Sequence, residues 1–332
     1  MTKWLNVNDI RKFEIELSSH CNARCPLCIR QIRGTDQERP EFLKGHLSFK
    51  QIQTLVEQLP DPKKVVFYFG GIGGDPMMNP EIVDIFEYCS KNVKSVSMDT
   101  NASLRSANTW KALGQISAKY YSSVTFSIDG LQDTNHIYRI RTNWSKIIEN
   151  AKSFINSGGY ATWKYIVFKH NQHQIEKARQ LSKELRFHDF RYENSVRHYE
   201  NAGPLQPEPP DGVEKSKIKT NAYSIQVNEI KCKVLEKKMM YVSNDFKLYP
   251  CCFFHTAHNF SPEVIKEYMD SNNDLNTRSI SDILNDKFYQ EKLISDWKMF
   301  EPNICAKACN QVKYWERDIK IIYNEKTSSD QI

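Results

Sequence analysis

F13-E-I-E-L-S-S-H-C-N-A-R-C-P-L-C28 passes from an alternating run into a loop of three cysteines, Cys21, Cys25 and Cys28, spaced C-x3-C-x2-C. The run F13-E-I-E-L17 has the period of two expected of a half-buried strand. The same punctuation recurs down the chain. K64-V-V-F-Y-F69 is a continuous β-branched and aromatic run, as buried parallel strands tend to be, and it leads into G70-G-I-G-G-D-P76. Strand patterns at 93–98, 123–128 and 163–168 run into D99-T-N-A-S103, S127-I-D-G130 and K169-H-N171, and a short one covers 190–192. Helix patterns fill the gaps at 48–58, with Ser48 as N-cap, 80–91, 106–116, 144–156 and 174–185.

Strand–helix repeats of this length predict βαβ units and a parallel sheet. Polar, Gly-rich or ligand-like residues follow every strand, on the side where α/β barrels and open α/β sheets carry their active sites. Five or six repeats are visible rather than eight, so the expected fold is α/β, a partial (β/α)6 TIM-like barrel over residues 1–200. N201-A-G-P-L-Q-P-E-P-P-D-G212 cannot continue a helix or a central strand and marks a linker at 201–215. The remainder, 216–332, is a second, Cys-rich α+β domain holding five of the nine cysteines, Cys232, Cys251, Cys252, Cys305 and Cys309. The tail 326–332 is expected to fray.

No stretch reaches the ~18 consecutive apolar residues of a membrane span, and the N-terminus lacks the apolar core of a signal peptide. The expected location is the cytoplasm, without membrane association. Clustered thiols in that compartment bind metal or do redox chemistry rather than pair. A net charge of +6 suits an anionic substrate or nucleic acid, and equally an ordinary basic enzyme.

Two readings fit the first cysteine set. One is zinc with a histidine as fourth ligand, although His20 adjoins Cys21 and neighbouring side chains rarely converge on one ion. The other is a [4Fe–4S] cluster, in which three thiolates leave one iron open to the amine and carboxylate of an α-amino acid. The remaining strand ends suit such a ligand carrying a nucleoside. The Gly70–Gly74 backbone permits close approach, and Asp75 can accept from an ammonium group. Ser127 and Asp129, with Thr100, Asn101 and Ser103, offer partners to a ribose or a carboxylate. Arg139 and Arg141 either pair with a carboxylate or an anionic substrate, or form a solvated basic turn. Lys169, His170 and Asn171 end strand five as a ligand contact or a surface turn. Glu14 and Glu16 share one face of strand one, as polar filler or substrate contact. Trp163 and Tyr165 read as core, and Cys89 as a buried free thiol.

C21-N-A-R-C-P-L-C28, G70-G-I-G-G-D-P76 and S127-I-D-G130, in this order across residues 10–200, resemble the radical SAM superfamily. The resemblance implies S-adenosylmethionine on the open iron of a [4Fe–4S] cluster held by Cys21, Cys25 and Cys28. It also implies reductive cleavage to methionine and a 5′-deoxyadenosyl radical that takes a hydrogen atom from substrate. Cofactor contacts are then expected at Leu27, Gly70, Gly71, Gly73, Gly74, Asp75, Thr100, Asn101, Ser127, Asp129 and Arg139. Two departures stand out. Asp75 replaces the glutamate usual in the family loop, and Leu27 stands where an aromatic residue often meets adenine. The G-D-P form, with S127-I-D-G-L-Q-D-T-N-H-I-Y-R139, resembles uncharacterised radical SAM proteins often carried by bacteriophages, for which the compartment would be the host cytoplasm.

In the last third, M240-Y-V-S-N-D-F-K-L-Y-P250 reads as a hairpin turning at Asn244–Asp245, between Cys232 and Cys251. With the C-x3-C of Cys305 and Cys309 it could assemble four thiolates, a closed site for structural zinc or a fully ligated cluster. Residues 216–315 resemble the Twitch module, the shortened SPASM domain, which implies an auxiliary [4Fe–4S] cluster for electron transfer or support. Phe246 stands where that family often has glycine, and Cys252 could replace Cys251. The expected partners are an external one-electron reductant such as flavodoxin or ferredoxin and a substrate that is a modified nucleoside or DNA base, a ribosomally made peptide, or a small molecule to be dehydrogenated or isomerised. The chain is expected as a monomer or homodimer. A non-catalytic Fe–S or zinc protein is the alternative of another class.

Overall fold

The computed structural model describes residues 4–195, 197–198, 200, 203–215, 232–260, 272–293 and 320–323. The strands are β1 (Lys12–Ile15), β2 (Val66–Phe69), β3 (Ser95–Thr100), β4 (Ser123–Ser127), β5 (Tyr160–Val167), β6 (Asp189–Asn194), β7 (Met239–Val242), β8 (Leu248–Tyr249) and β9 (Lys320–Tyr323). The helices used below are α1 (Phe49–Glu57), α2 (Ile82–Asn92), α3 (Ala107–Tyr120), α4 (Asn135–Tyr138), α5 (Trp144–Asn156), α6 (Ile175–Glu184), α7 (Lys233–Lys237) and α8 (Cys252–Phe260). The fold is mostly parallel α/β, and strand–helix alternation through β6 follows the sequence pattern closely. Local signals explain the boundaries. Ser48 caps α1 by accepting from Gln51 N–H, while the Gln51 side chain accepts from Ser48 N–H, a reciprocal capping box. α3 runs to Tyr120, past the expected end at 116, because the first interruption is left-handed Tyr121 at φ 57°.

The chain forms two compact units, and they cut across the linear division expected at residue 200. The first comprises Met1–His20, Pro40–Val96 and Lys219–Glu316, the second Cys21–Arg39, Ser97–Ile218 and Arg317–Ile332. In the first unit β1 lies between β2 and β7 and is parallel to both, and β8 closes the edge antiparallel to β7. The segment read as a separate C-terminal domain therefore supplies a strand beside β1. The reason is in M239-M-Y-V242: three of its four residues are buried, so the strand needs a sheet neighbour that a two-stranded hairpin cannot provide. In this unit Phe13 and Phe67 meet edge to face at 5.8 Å, and Ile52 and Leu55 of α1 and Ile85 and Phe86 of α2 are fully buried.

In the second unit β3, β4, β5 and β6 pair in parallel and β9 adds antiparallel to β6. Trp110 of α3, Phe126 of β4 and Phe154 of α5 form an aromatic core with ring centroids 5.2–6.1 Å apart. Trp163 and Tyr165 are fully buried, as expected, and so is Cys89 in the first unit. Residues 203–215 carry no helix or strand, and Leu205 N–H and Lys169 N–H bond to Gly34 O and Glu208 O at 2.8 and 3.0 Å, so the segment is fastened down.

Asn79 ties the first unit together where β1 leaves the sheet. Fully buried, it donates to Leu17 O at 2.9 Å and Leu47 O at 2.7 Å and accepts from Glu81 N–H at 2.9 Å. Asn79→Ala orphans these groups and should cost on the order of 3 kcal/mol, measurable by urea unfolding.

Candidate functional site

The cysteine loop lies in the second unit. Cys25 is buried, Cys21 and Cys28 are half-buried, and all three belong to an apolar cluster with Ala23, Leu27, Tyr138, Phe168 and Ile166. The loop is held by its own backbone: Cys28 N–H bonds to Cys25 O at 2.9 Å, Gln31 N–H to Cys28 O at 3.0 Å and Arg24 N–H to Ile140 O at 2.9 Å. Two polar groups reach the sulfurs. Asn101 Nδ2 stands 3.7 Å from Cys21 Sγ, steadied by Asn22 Oδ1 at 2.9 Å, and Arg139 Nη1 stands 3.9 Å from Cys25 Sγ.

Burial pushes the Cys25 thiol up to about 11, against the pull of Arg139. A buried thiol with N–H donors aimed at it suits coordination, which stabilises the thiolate that the apolar site alone disfavours. Among the described residues no three His, Cys, Asp or Glu side chains converge as a single metal ion requires. A cubane cluster gives each thiolate its own iron and makes no such demand. The donor set therefore fits a [4Fe–4S] group.

Asp129, expected at the cofactor, is spent internally. It is fully buried; Oδ2 accepts from Arg139 Nε at 2.6 Å and Oδ1 from Ile166 N–H at 2.6 Å. Its backbone N–H donates to Asn135 Oδ1 at 2.9 Å and its carbonyl accepts from Asn171 Nδ2 at 2.8 Å. Desolvation drives this: a buried carboxylate must be answered by donors, and Asp129 thereby aims Arg139. Asn171 is likewise structural, with its side chain also bonding Phe168 N–H and Ile166 O. Thr100 Oγ1 and Asn101 Oδ1 brace the turn after β3 by accepting from Ala102 and Ser103 N–H, each at 3.0 Å. Ser127 ends β4 half-buried, Arg141 and Lys169 are exposed, and His170 stacks on Phe168 at 5.4 Å. Sequence reasoning missed Tyr138 and Phe168 as walls of the cysteine loop. Their rings lie 4.5 Å apart; the only trace was the apolar end of the fifth strand pattern.

The glycine loop lies in the first unit, after β2. Asp75 is 4% exposed; its N–H bonds to His20 O at 2.8 Å, the residue before Cys21 in sequence, and its Oδ1 accepts from Met77 N–H at 3.0 Å. A Cβ at Gly74 would fall 1.7 Å from Ser18 O, so no side chain fits there. Glu16, left open by the sequence, is fully buried, with Oε1 accepting from Gly73 N–H at 2.6 Å and Oε2 from the Tyr241 hydroxyl at 2.9 Å.

In the C-terminal cysteine segment, the expected hairpin is present as β7 and β8. Phe246 in its turn adopts φ 59°, the conformation glycine takes most cheaply, and is 1% exposed. Cys232 precedes α7; Cys251 and Cys252 lie where β8 passes into α8, and all three are half-buried. Cys305 and Cys309 lie outside the described residues.

Parallel strands whose C-terminal ends carry a three-thiol loop define an iron–sulfur α/β enzyme class, and comparison with known proteins makes that class specific. The family model described as the Radical SAM superfamily matches residues 15–181, half of the chain, and the chain belongs to that superfamily. It is therefore an enzyme of the radical SAM type, and membership implies a [4Fe–4S] cluster and S-adenosylmethionine. Over 123 residues it is 28% identical to the tungsten-containing aldehyde ferredoxin oxidoreductase cofactor-modifying protein of Pyrococcus furiosus, covering 37% of this chain and 32% of that protein. The matched segment thus spans about a third of that relative. Streptococcus suis SuiB shares the fold with a TM-score of 0.55 at 16% identity, over 84% of this chain and 67% of that one. Native anSMEcpe with bound AdoMet gives 0.54 at 14%, over 84% and 81%. Among the described residues no helix is long and apolar enough to cross a membrane.

Two outcomes follow from the buried carboxylates. Asp129→Ala strands a buried arginine and should cost about 3–5 kcal/mol, read by chemical unfolding. Burial raises Glu16 from 4.5 to about 7. An acid raised on folding adds stability below its unfolded value that is lost as pH rises through about 7, here roughly 3 kcal/mol. Glu16→Gln removes that loss, so its melting temperature relative to wild type should climb between pH 4.5 and about 7 and level off above.

Proposed function

We propose that this enzyme cleaves S-adenosylmethionine reductively at an open [4Fe–4S] cluster held by Cys21, Cys25 and Cys28, and uses the resulting radical to abstract a hydrogen atom from a nucleoside or DNA base. The observation that carries the reading is the three-thiol loop, set in one apolar cluster with Asn101 and Arg139 directed at its sulfurs. When bound, the cluster and S-adenosylmethionine together supply one-electron cleavage of a C–S bond and a carbon radical. The chain's own residues do the rest. The cysteines ligate; Leu27, Tyr138 and Phe168 exclude water from the loop; Asp129 fixes Arg139 beside Cys25. Asp75 and the Gly70–Gly74 backbone take the methionine end, by resemblance of their motif to the family's, and Ser127 takes the ribose or carboxylate.

Cys232, Cys251, Cys305 and Cys309 hold an auxiliary [4Fe–4S] cluster in a Twitch/SPASM-like segment, with Cys252 as the alternative to Cys251. The hairpin supports this, as does the positive φ at Phe246, the position where that module favours glycine. An external flavodoxin- or ferredoxin-type protein supplies the electron. A peptide substrate is the second reading, supported by SuiB bound to the precursor peptide SuiA, which matches with a TM-score of 0.57 at 14% identity over 88% of this chain and 67% of that one.

The test is anaerobic reconstitution and an assay for 5′-deoxyadenosine with nucleosides and peptides as stimulants. Cys25→Ala should abolish the product and lower bound iron. Cys309→Ala should spare uncoupled cleavage and damage turnover. Two clusters' worth of iron with no 5′-deoxyadenosine would overturn the enzymatic reading in favour of an iron–sulfur binding protein.

A further inference from the structure

Glu16 has no part in the reading above, yet its surroundings are built around it. Besides Gly73 N–H and the Tyr241 hydroxyl, His255 Nδ1 lies 3.5 Å from Glu16 Oε2. The Tyr241 and His255 rings stack at 5.3 Å, and Tyr249 closes on His255 at 5.2 Å. All four side chains are buried. The glycine loop packs closely on the Glu16 side chain at two positions, with Phe42 closer still to Gly73. A Cβ at Gly71, where φ is +108°, would come within 2.8 Å of Glu16 Cγ, and one at Gly73 within 2.6 Å of Glu16 Oε1. Glycine-rich backbone loses much entropy on ordering, so a loop of this composition needs an anchor, and Gly73 N–H on Glu16 is one. The side-chain donor to the carboxylate comes from the C-terminal segment, Tyr241 of β7, and His255 of α8 packs beside it against the Tyr241 ring.

We propose that Glu16 is the positioning residue of the Gly70–Asp75 loop, held by Tyr241 with His255 packed against that ring, so that the C-terminal segment sets how tightly the loop grips the methionine end of S-adenosylmethionine. This rests on the reading that Asp75 and its loop take that end. Glu16 acts through the Gly73 amide and does not touch the cofactor. The other charges acting on it are Glu14 on β1 and Asp245 in the hairpin turn, both of which disfavour ionisation. Ionised, the carboxylate accepts both donors; protonated, it gives up one acceptor site and holds the loop less firmly.

The experiment measures S-adenosylmethionine binding to the anaerobically reconstituted full chain, with hydrogen exchange of the Gly73 segment in the same proteins. Glu16→Ala should weaken binding about tenfold or more and speed exchange at that segment, with bound iron unchanged. Tyr241→Phe should do the same more weakly. Glu16→Gln keeps an acceptor for Gly73, so it should restore most of the affinity and abolish the fall in affinity that wild type shows as pH drops through about 7. Wild-type binding by Glu16→Ala, while Asp75→Ala binds tenfold more weakly, overturns the positioning role and leaves the loop reading standing. Wild-type binding by Asp75→Ala overturns both. Should Glu16→Ala not fold, Glu16→Gln decides: a wild-type pH profile in that variant overturns the proposal.

Discussion

A carboxylate taken out of water has to be met by donors, and the way Asp129 is met arranges the second unit's site. Its two oxygens hold Arg139 and the Ile166 amide, and its own peptide groups are held by Asn135 and Asn171. Four segments are thereby locked together: the end of β4, the short helix α4, the last turns of β5 and the loop after it. Arg139 reaches Cys25 only because Asp129 fixes its Nε, and Tyr138, one residue earlier, is turned onto Phe168 against the cysteine loop. Such a pair adds little net stability, since desolvating two charges offsets most of their attraction. What it gives is one geometry.

The first unit solves the same problem with a different balance. Glu16 is answered by a tyrosine hydroxyl and a backbone amide, with a histidine at 3.5 Å, rather than by arginine. Burial raises the proton affinity of both carboxyls; at Asp129 the Arg139 guanidinium at 2.6 Å pulls against it, while at Glu16 only the Tyr241 hydroxyl and the Gly73 amide do. One carboxylate is a fixed strut; the other can change charge near neutrality.

Much of this was legible in the sequence because the signals are local. The period-two run at residue 13, the capping serine at 48 and the hairpin around Asn244 act over a few residues, and the elements stand where they point. The cysteine loop was legible because ligand spacing is itself a chemical statement. What was hidden depends on residues far apart in the chain. S127-I-D-G130 advertised Asp129 as a site residue, but only the arrival of Arg139 and Ile166 shows what its two oxygens bond. Glu16 could not be assigned because its partners, Tyr241 and His255, come more than two hundred residues later. The hairpin strand β7 was legible, but its pairing with β1 was not, for the same reason: a local strand pattern says where a strand lies, not which strand it will pair with.

That pairing bears on how the protein is made. Lys12 through Ile15 are made more than two hundred residues before Met239 through Val242, which cover one edge of the strand. Synthesis proceeds at about 5–20 residues per second, so the strand passes at least ten seconds with an open edge, the kind of template that recruits foreign strands. Its composition carries a safeguard. Lys12 and Glu14 interrupt the apolar positions, and Glu16, still hydrated and charged before Tyr241 and His255 arrive, makes the nascent edge a poor partner for aggregation. The residue that is costly to bury at the end is the one that keeps the strand soluble while it waits.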